Sequence, residues 1–200
     1  LFTELQDSET YGLPALEMEL DYSKVWDRKN KIVEQLVSGI EYLFRKRKIP
    51  VIKEFARNIR RVGEDYIIST DQTEYAAEYI IVATGSGPRS LPGIEIDEQN
   101  ILSSTGILKL DYLPKKLAVV GGGVIGCEFA SIFASFGVEV HIIEFLPRII
   151  ALEDEEISKR LAMALKKTGI KIQTGVAVQT ITKASEGLEL SLSNENTLTV

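Results

Sequence analysis

The chain has 200 residues, 44% hydrophobic and 26% charged, with a formal net charge of −6. That is the balance of an ordinary folded polypeptide with room for one large or two small domains. The acidic excess argues against nonspecific nucleic-acid binding. No apolar run reaches the ~18 residues that a bilayer span needs, so no membrane role is expected. The single cysteine, Cys127, excludes an intrachain disulfide and, with no signal peptide visible, gives a cytoplasmic expectation.

Residues 1–20 carry few regular signals, and Gly12 and Pro14 interrupt any pattern. Asp21 is placed to cap a long helix over residues 22–48. Its Val25, Trp26, Ile32, Val33, Leu36, Ile40, Leu43 and Phe44 recur near a 3.6-residue period. A helix of this kind packs on a sheet. Arg45, Lys46, Arg47 and Lys48 complement its dipole at the C-terminal end and read as a solvated terminus, and Pro50 stops it. Val51-Ile52 begins a strand. Tyr66-Ile67-Ile68 and the run 78–83 supply further strands, with Gly63 and Asp71-Gln72 as turns. Gly85, Gly87, Pro88, Pro92 and Gly93 mark a connector, and a second ends at Pro114.

After it the pattern becomes regular. Lys116-Leu117-Ala118-Val119-Val120 reads as a buried parallel strand, and Gly121-Gly122-Gly123-Val124-Ile125-Gly126 fits G-x-G-x-x-G. Residues 128–136 read as an amphipathic helix with Phe129, Ile132, Phe133 and Phe136 on one face. Residues 138–144 read as the next strand, closing on Glu144. A strand, a glycine turn, a helix and a second strand ending in an acid roughly 20 residues on form the dinucleotide-binding fingerprint. Gly121 permits the tight turn, Gly123 lets backbone approach a pyrophosphate, and Gly126 lets helix meet sheet. The helix N-terminus offers free N–H groups to the phosphates. Glu144 can accept from a ribose and would repel a 2′-phosphate, which favours NAD over NADP; Arg148, four residues on, pulls the other way. The alternative is a glycine-rich turn that binds no nucleotide. Asp154 or Glu153 then opens a helix to about residue 167, capped by Gly169, with Ile157, Leu161, Ala164 and Leu165 on one face. Strands follow at 170–172, 176–182, 188–192 and from Leu198.

Two motifs extend this to a family. Tyr79-Ile80-Ile81-Val82-Ala83-Thr84-Gly85-Ser86-Gly87-Pro88 resembles the second flavin motif of flavoproteins that bind two dinucleotides. Its position ahead of G-x-G-x-x-G resembles the pyridine nucleotide–disulfide oxidoreductases. Within that family, Ile101-Leu102-Ser103-Ser104-Thr105, Pro114-Lys115-Lys116-Leu117, Gly126-Cys127-Glu128 and Glu144-Phe145-Leu146-Pro147-Arg148-Ile149 are most similar to the dihydrolipoamide dehydrogenase branch. The resemblance implies an α/β chain with the FAD/NAD-binding, Rossmann-like three-layer fold. Residues 1–109 would be an incomplete FAD-binding domain and residues 110–200 most of an NAD-binding domain. It further implies FAD and NAD as cofactors, homodimers, and oxidation of dihydrolipoyl groups on acyltransferase subunits of 2-oxoacid dehydrogenase complexes.

On the same resemblance, Gly121, Gly122, Gly123, Val124, Ile125, Gly126, Cys127 and Glu128 would line NAD, with Glu144 on its ribose and Val178 near the adenine. Thr84, Gly85 and Ser86 match the flavin-contacting turn. Ala56 stands where the family usually has a glycine that contacts FAD through main chain. Glu128 has a second reading, a helix N-terminal acid that offsets the dipole. Cys127 reads as a small buried core residue, and the only histidine, His141, as structural.

The family's C-x4-C redox pair, its first G-x-G-x-x-G and its His–Glu acid/base pair are absent from the sequence. The expectation is therefore a central segment of a longer protein, unable to reduce lipoamide by itself and weak in flavin retention. The apolar face of the 22–48 helix should be poorly covered. Two other readings stay open: a related NADH-dependent flavin oxidoreductase or disulfide reductase, and a non-catalytic NAD-binding module.

Overall fold

The computed structural model describes residues 4–5, 7–14 and 19–200. They fall into two compact units, residues 27–87 and residues 1–26 with 88–200.

The second unit holds the parallel sheet. Strands β4 (Lys116–Val120), β5 (Glu139–Glu144) and β6 (Lys171–Thr174) pair in the order β4-β5-β6. Both pairs are parallel, with Leu117 opposite Val140 and Ile142 opposite Ile172. A short α2 (Ser104–Ile107) precedes this sheet, and between its strands run α3 (Val124–Ser135) and α4 (Glu155–Lys167). Side chains of β5 alternate between faces, as any strand's must. Val140 and Ile142 enter one core cluster with Cys127, Ala130 and Phe133 of α3 and Leu165 of α4. Ile143 enters a second cluster with Val176, Leu190 and Leu192. That second cluster belongs to an antiparallel meander, β7 (Val178–Lys183), β8 (Leu188–Leu192) and β9 (Thr197–Thr199). Helices, parallel sheet and meander make the expected three layers.

The caps follow the sequence. Asp154 is the α4 N-cap, its carboxylate accepting from the N–H of Glu156 (2.9 Å) and Ile157 (3.3 Å). Gly169 leaves that helix at φ +88, a left-handed turn that suits glycine. The sequence misplaced the buried face of α3. Cys127, Ala130 and Phe133 are buried, whereas Ile132 is 47% exposed. The helix also begins at Val124, four residues earlier than expected, directly out of the glycine turn.

The 27–87 unit contains most of α1 (Tyr22–Lys46) and an antiparallel meander of β1 (Asn58–Val62), β2 (Asp65–Ser69) and β3 (Glu74–Ala77). Gly63 turns β1 into β2 at φ +67. Asp21 caps α1, its Oδ1 accepting from the N–H of Lys24 (3.4 Å) and from the Ser23 hydroxyl (2.6 Å), contacts that hold the Asp21 carboxyl down at about 2. No residue of α1 is buried, and Leu36 and Ile40 of its apolar stripe are 65% and 55% exposed. The stripe is thus uncovered among the described residues, as expected of this helix's apolar face. Two expected strands do not form. Val51-Ile52 and residues 79–83 have no regular structure, and Ile81 is 92% exposed. An apolar strand with side chains for both faces needs neighbours on both edges, and among the described residues none pairs with either run. No helix among the described residues is long and apolar enough to cross a membrane.

Candidate functional site

The glycine turn joins β4 to α3 at the carboxyl end of the parallel sheet, where open α/β sheets bind their ligands. Each glycine there has a separate reason. Gly121 takes φ +113, which L side chains rarely adopt. A Cβ on Gly126 would overlap the Gly121 carbonyl oxygen and crowd Val119, so glycine here sets the closeness of helix to strand. Gly122 has a reason the sequence did not reveal: its Cβ would lie 2.7 Å from Ile149 Cγ2 and 3.2 Å from Glu144 Cβ. Gly123 is different. Its φ of −71° and ψ of 179° suit any residue, and a Cβ there would meet nothing within 4 Å. No protein atom demands a glycine at 123, so the demand fits something that approaches from outside.

The N-terminus of α3 points the same way. Asp154 caps α4 with its side chain, whereas the α3 N-cap, Gly123, supplies no side-chain bond. The first-turn N–H groups of α3 therefore keep their capacity for an anion. Val124 and Ile125 beside them are 58% and 54% exposed. These features fit the diphosphate of a dinucleotide.

Glu144 ends β5 beside the turn. Its Oε2 accepts from the Gly122 N–H (2.5 Å) and its Oε1 from the Leu146 N–H (2.7 Å). A carboxylate has about four acceptor positions, so roughly two remain open to a ligand's donors. The main chain fixes this acid further, because Val176 N–H donates to the Glu144 carbonyl (3.0 Å) and Gly175 N–H to the Leu146 carbonyl (2.8 Å). β7 starts two residues later at Val178, half-buried against the second cluster. Glu144, the glycine turn and the start of β7 thus converge at one end of the sheet.

Glu128 is exposed one residue beyond the first turn of α3, and that turn contains no acid. The dipole-offsetting reading loses force with that position. Cys127 lies beneath the turn, 4% exposed, its thiol donating to the Gly122 carbonyl (3.4 Å). Burial, and then the Glu144 charge, push the thiol pKa up, the opposite of what a reactive cysteine needs. His141 is buried mid-strand with its Nε2 3.1 Å from Glu139 Oε1. Lys171 Nζ reaches the same oxygen at 2.5 Å. This group sits toward the amino ends of the strands, away from the turn. A cavity of about 810 Å³ borders Gly121 and Gly126 and follows the free edge of β4, lined by Leu117, Val119, Ile125, Phe129 and Leu190.

In the 27–87 unit, Ala56, Thr84, Gly85 and Ser86 are all exposed and outside regular elements. Gly85 takes φ +78, a conformation that needs glycine. Ala56 lies just before β1. No cluster able to hold a metal ion exists among the described residues.

Residues 5–200 match the family model described as pyridine nucleotide-disulphide oxidoreductase. A dihydrolipoyl dehydrogenase from Chlamydia pneumoniae is 38% identical over 193 residues, covering 96% of this chain and 41% of that protein. Dihydrolipoyl dehydrogenase 3 from Pseudomonas putida is 41% identical over 175 residues, 86% of this chain and 37% of that one. The chain therefore spans less than half the length of these curated relatives. Among solved structures, LpdA from Mycobacterium tuberculosis superposes with a TM-score of 0.85 at 23% identity, over 98% of this chain and 44% of that one. The HOCl-induced flavoprotein disulfide reductase RclA from Escherichia coli gives 0.74 at 26% identity, over 98% and 43%.

Proposed function

This chain belongs to the pyridine nucleotide–disulphide oxidoreductase family, and from that premise we propose that it is the central segment of a dihydrolipoamide dehydrogenase. The protein would oxidise the dihydrolipoyl dithiol of acyltransferase subunits in 2-oxoacid dehydrogenase complexes. Two electrons pass to NAD⁺, giving the lipoyl disulfide, NADH and a proton. FAD and NAD, when bound, supply the electron and hydride transfer. In this reading residues 1–109 serve the flavin and residues 110–200 the NAD, the working unit is a homodimer, and the location is cytoplasmic.

The chain's own residues would bind and orient. The N–H groups opening α3 would hold the diphosphate across Gly123, and Glu144, pre-set by two main-chain donors, would grip the adenosine ribose. Val124, Ile125, Gly126 and Glu128 would line the same cofactor, with Val178 near the adenine. Ala56, Thr84, Gly85 and Ser86 would contact the flavin. Nothing in this segment is placed to exchange thiols, since Cys127 is buried with its thiol pKa raised.

The observation that carries the reading is Gly123, a glycine with no protein-side reason to be one, at a helix start without a side-chain cap. Isothermal titration of the purified protein with NADH tests it, with Glu144→Ala as the comparison. Loss of a charged acceptor should weaken binding by about 1.5–3 kcal/mol. Equal affinity in the two proteins would remove Glu144 from the site.

A further inference from the structure

The glycine turn is not free-standing. The segment between β5 and α4 reaches back and holds the Gly122 peptide from both sides. Glu144 accepts its N–H, and the Ile150 N–H donates to its carbonyl at 2.6 Å. Ile149 packs where a Cβ on Gly122 would stand. Ile149 and Ile150 are 1% and 7% exposed although their segment has no regular structure.

Ile150 reaches that position at a cost. Its φ is +39, in the left-handed region, where a β-branched residue is a true outlier and persists only if its surroundings enforce it. The enforcing contacts are visible. The buried Ser158 hydroxyl donates to the Ile149 carbonyl at 2.7 Å. The Arg148 guanidinium crosses the segment, its Nη2 donating to the carbonyls of Ala151 (2.7 Å) and Glu153 (3.2 Å). Its Nη1 stands 4.0 Å from Glu155 Oε2, and its Nε is buried with no partner.

An arginine four residues beyond the ribose acid is the residue type that would read a 2′-phosphate. Here its best donor is occupied by two carbonyls of its own loop, and a carboxylate stands beside it. We propose that Arg148 is a positioning residue for pyridine-nucleotide binding. It bridges the Ala151 and Glu153 carbonyls, which keeps Ile150 in its left-handed conformation and so delivers the Ile150 N–H to Gly122. The phosphate-binding turn is thereby shaped before the ligand arrives. This inference rests on the NAD reading above and adds to it a residue that touches neither ribose nor phosphate.

The test uses the full-length protein and titrates NADH and NADPH into wild type, Arg148→Met and Arg148→Lys, alongside steady-state kinetics. Arg148→Met should raise the Kd for NADH about tenfold, the size of one lost charged hydrogen bond. The KM for NAD should rise in parallel, with kcat at saturating NAD and flavin content unchanged. The ratio of NADH to NADPH affinity should stay constant, because the diphosphate turn is common to both. Arg148→Lys, which keeps the charge but cannot bridge both carbonyls in the plane of a guanidinium, should fall between the two. If Arg148→Met does not accumulate as folded protein, the lysine variant decides alone: a raised Kd with kcat intact supports the role, and a wild-type Kd overturns it. A selective loss of NADPH binding would make Arg148 a phosphate reader and overturn the proposal. So would a fall in kcat with KM unchanged. Failure of the wild type to bind NADH would instead strike the dinucleotide reading itself.

Discussion

Residues 116–120 and residues 79–83 are both short apolar runs that lead to a glycine turn, and they have opposite fates. Lys116–Val120 is β4, paired in parallel with β5 and backed by α3. Residues 79–83 form no strand, and Ile81 and Val82 are 92% and 68% exposed. Side-chain type does not separate them. β4 has its partner some twenty residues away, across a crossover that buries its own helix. The other run has no partner among the described residues, and a parallel strand cannot borrow stability from a local turn. An apolar run specifies a strand only when an edge is there to receive it.

A matched pair of substitutions sharpens that contrast and has the largest expected effect. Val119→Asp places a carboxylate in the helix-facing core and should destabilise the fold by on the order of 3 kcal/mol. Ile81→Asp in these 200 residues should stay within about 0.5 kcal/mol, because that side chain is already in water. In a longer chain that supplies partner strands to residues 79–83, Ile81→Asp is expected to cost as much as Val119→Asp. Urea unfolding of both substitutions in both chain lengths reads all of this. A costly Ile81→Asp in the 200-residue chain would show that residues 79–83 are packed in it and would undo the contrast.

The same divide explains how much the sequence disclosed. β4, the glycine turn, β5, Asp154 as a cap, α4 and β8 were legible because each carries a local signal and its partner lies within one crossover or one hairpin. Val51-Ile52 and residues 78–83 were misread because their signal was local and no described residue pairs with either run. The buried face of α3 was misread because large side chains drew attention to Ile132, while close approach to β5 selects the smaller Cys127 and Ala130. The left-handed turn at Ile150 left no mark, since a left-handed β-branched residue has no compositional signature. The adjacent Ile149-Ile150 after Pro147 was the one hint that this loop is buried. Of the site, Glu144 and the glycines were readable and Arg148's role was not, because its partners are main-chain carbonyls.

Within the turn, two glycines give a finer version of the comparison. Gly126 is required by the protein and Gly123 is not. Gly126→Val should push α3 off Gly121, lower stability by about 1–3 kcal/mol and abolish detectable NADH binding. Gly123→Ala should leave the unfolding midpoint nearly unchanged, since Ala fits its backbone and the space is open. Its NADH affinity should nonetheless fall by about tenfold or more through contact with the diphosphate. Thermal melts and NADH titrations on both variants separate the two roles. An alanine at 123 that binds NADH as the wild type does would leave that glycine without a purpose in the proposed site.

The smallest effect lies at the opposite end of the same sheet. There Lys171 donates to Glu139 at 2.5 Å, and Glu139 also faces His141 and, at 3.9 Å, Lys116. The Lys171 hydrogen bond, followed by that from His141, lowers the Glu139 carboxyl from 4.5 to about 2. A carboxyl depressed on folding stabilises above its unfolded value, and the contribution is lost as pH falls from about 4.5 toward about 2. Lys171→Met should therefore raise the Glu139 pKa toward the ordinary range and flatten that part of the acid stability profile. That contribution is fully present at neutral pH, so the melting temperature there should fall, but only modestly, because both side chains are partly exposed and screened. NADH affinity should not move at all, because ligands gather at the carboxyl ends of the strands and this cluster lies at the amino ends. Carboxyl-detected NMR titration of Glu139 in both proteins measures the shift. A pKa that stays near 2 without Lys171 would transfer the cause to His141 and Lys116. A change in NADH affinity would mean that the two ends of the sheet are coupled, and the independence of binding end and structural end would be lost.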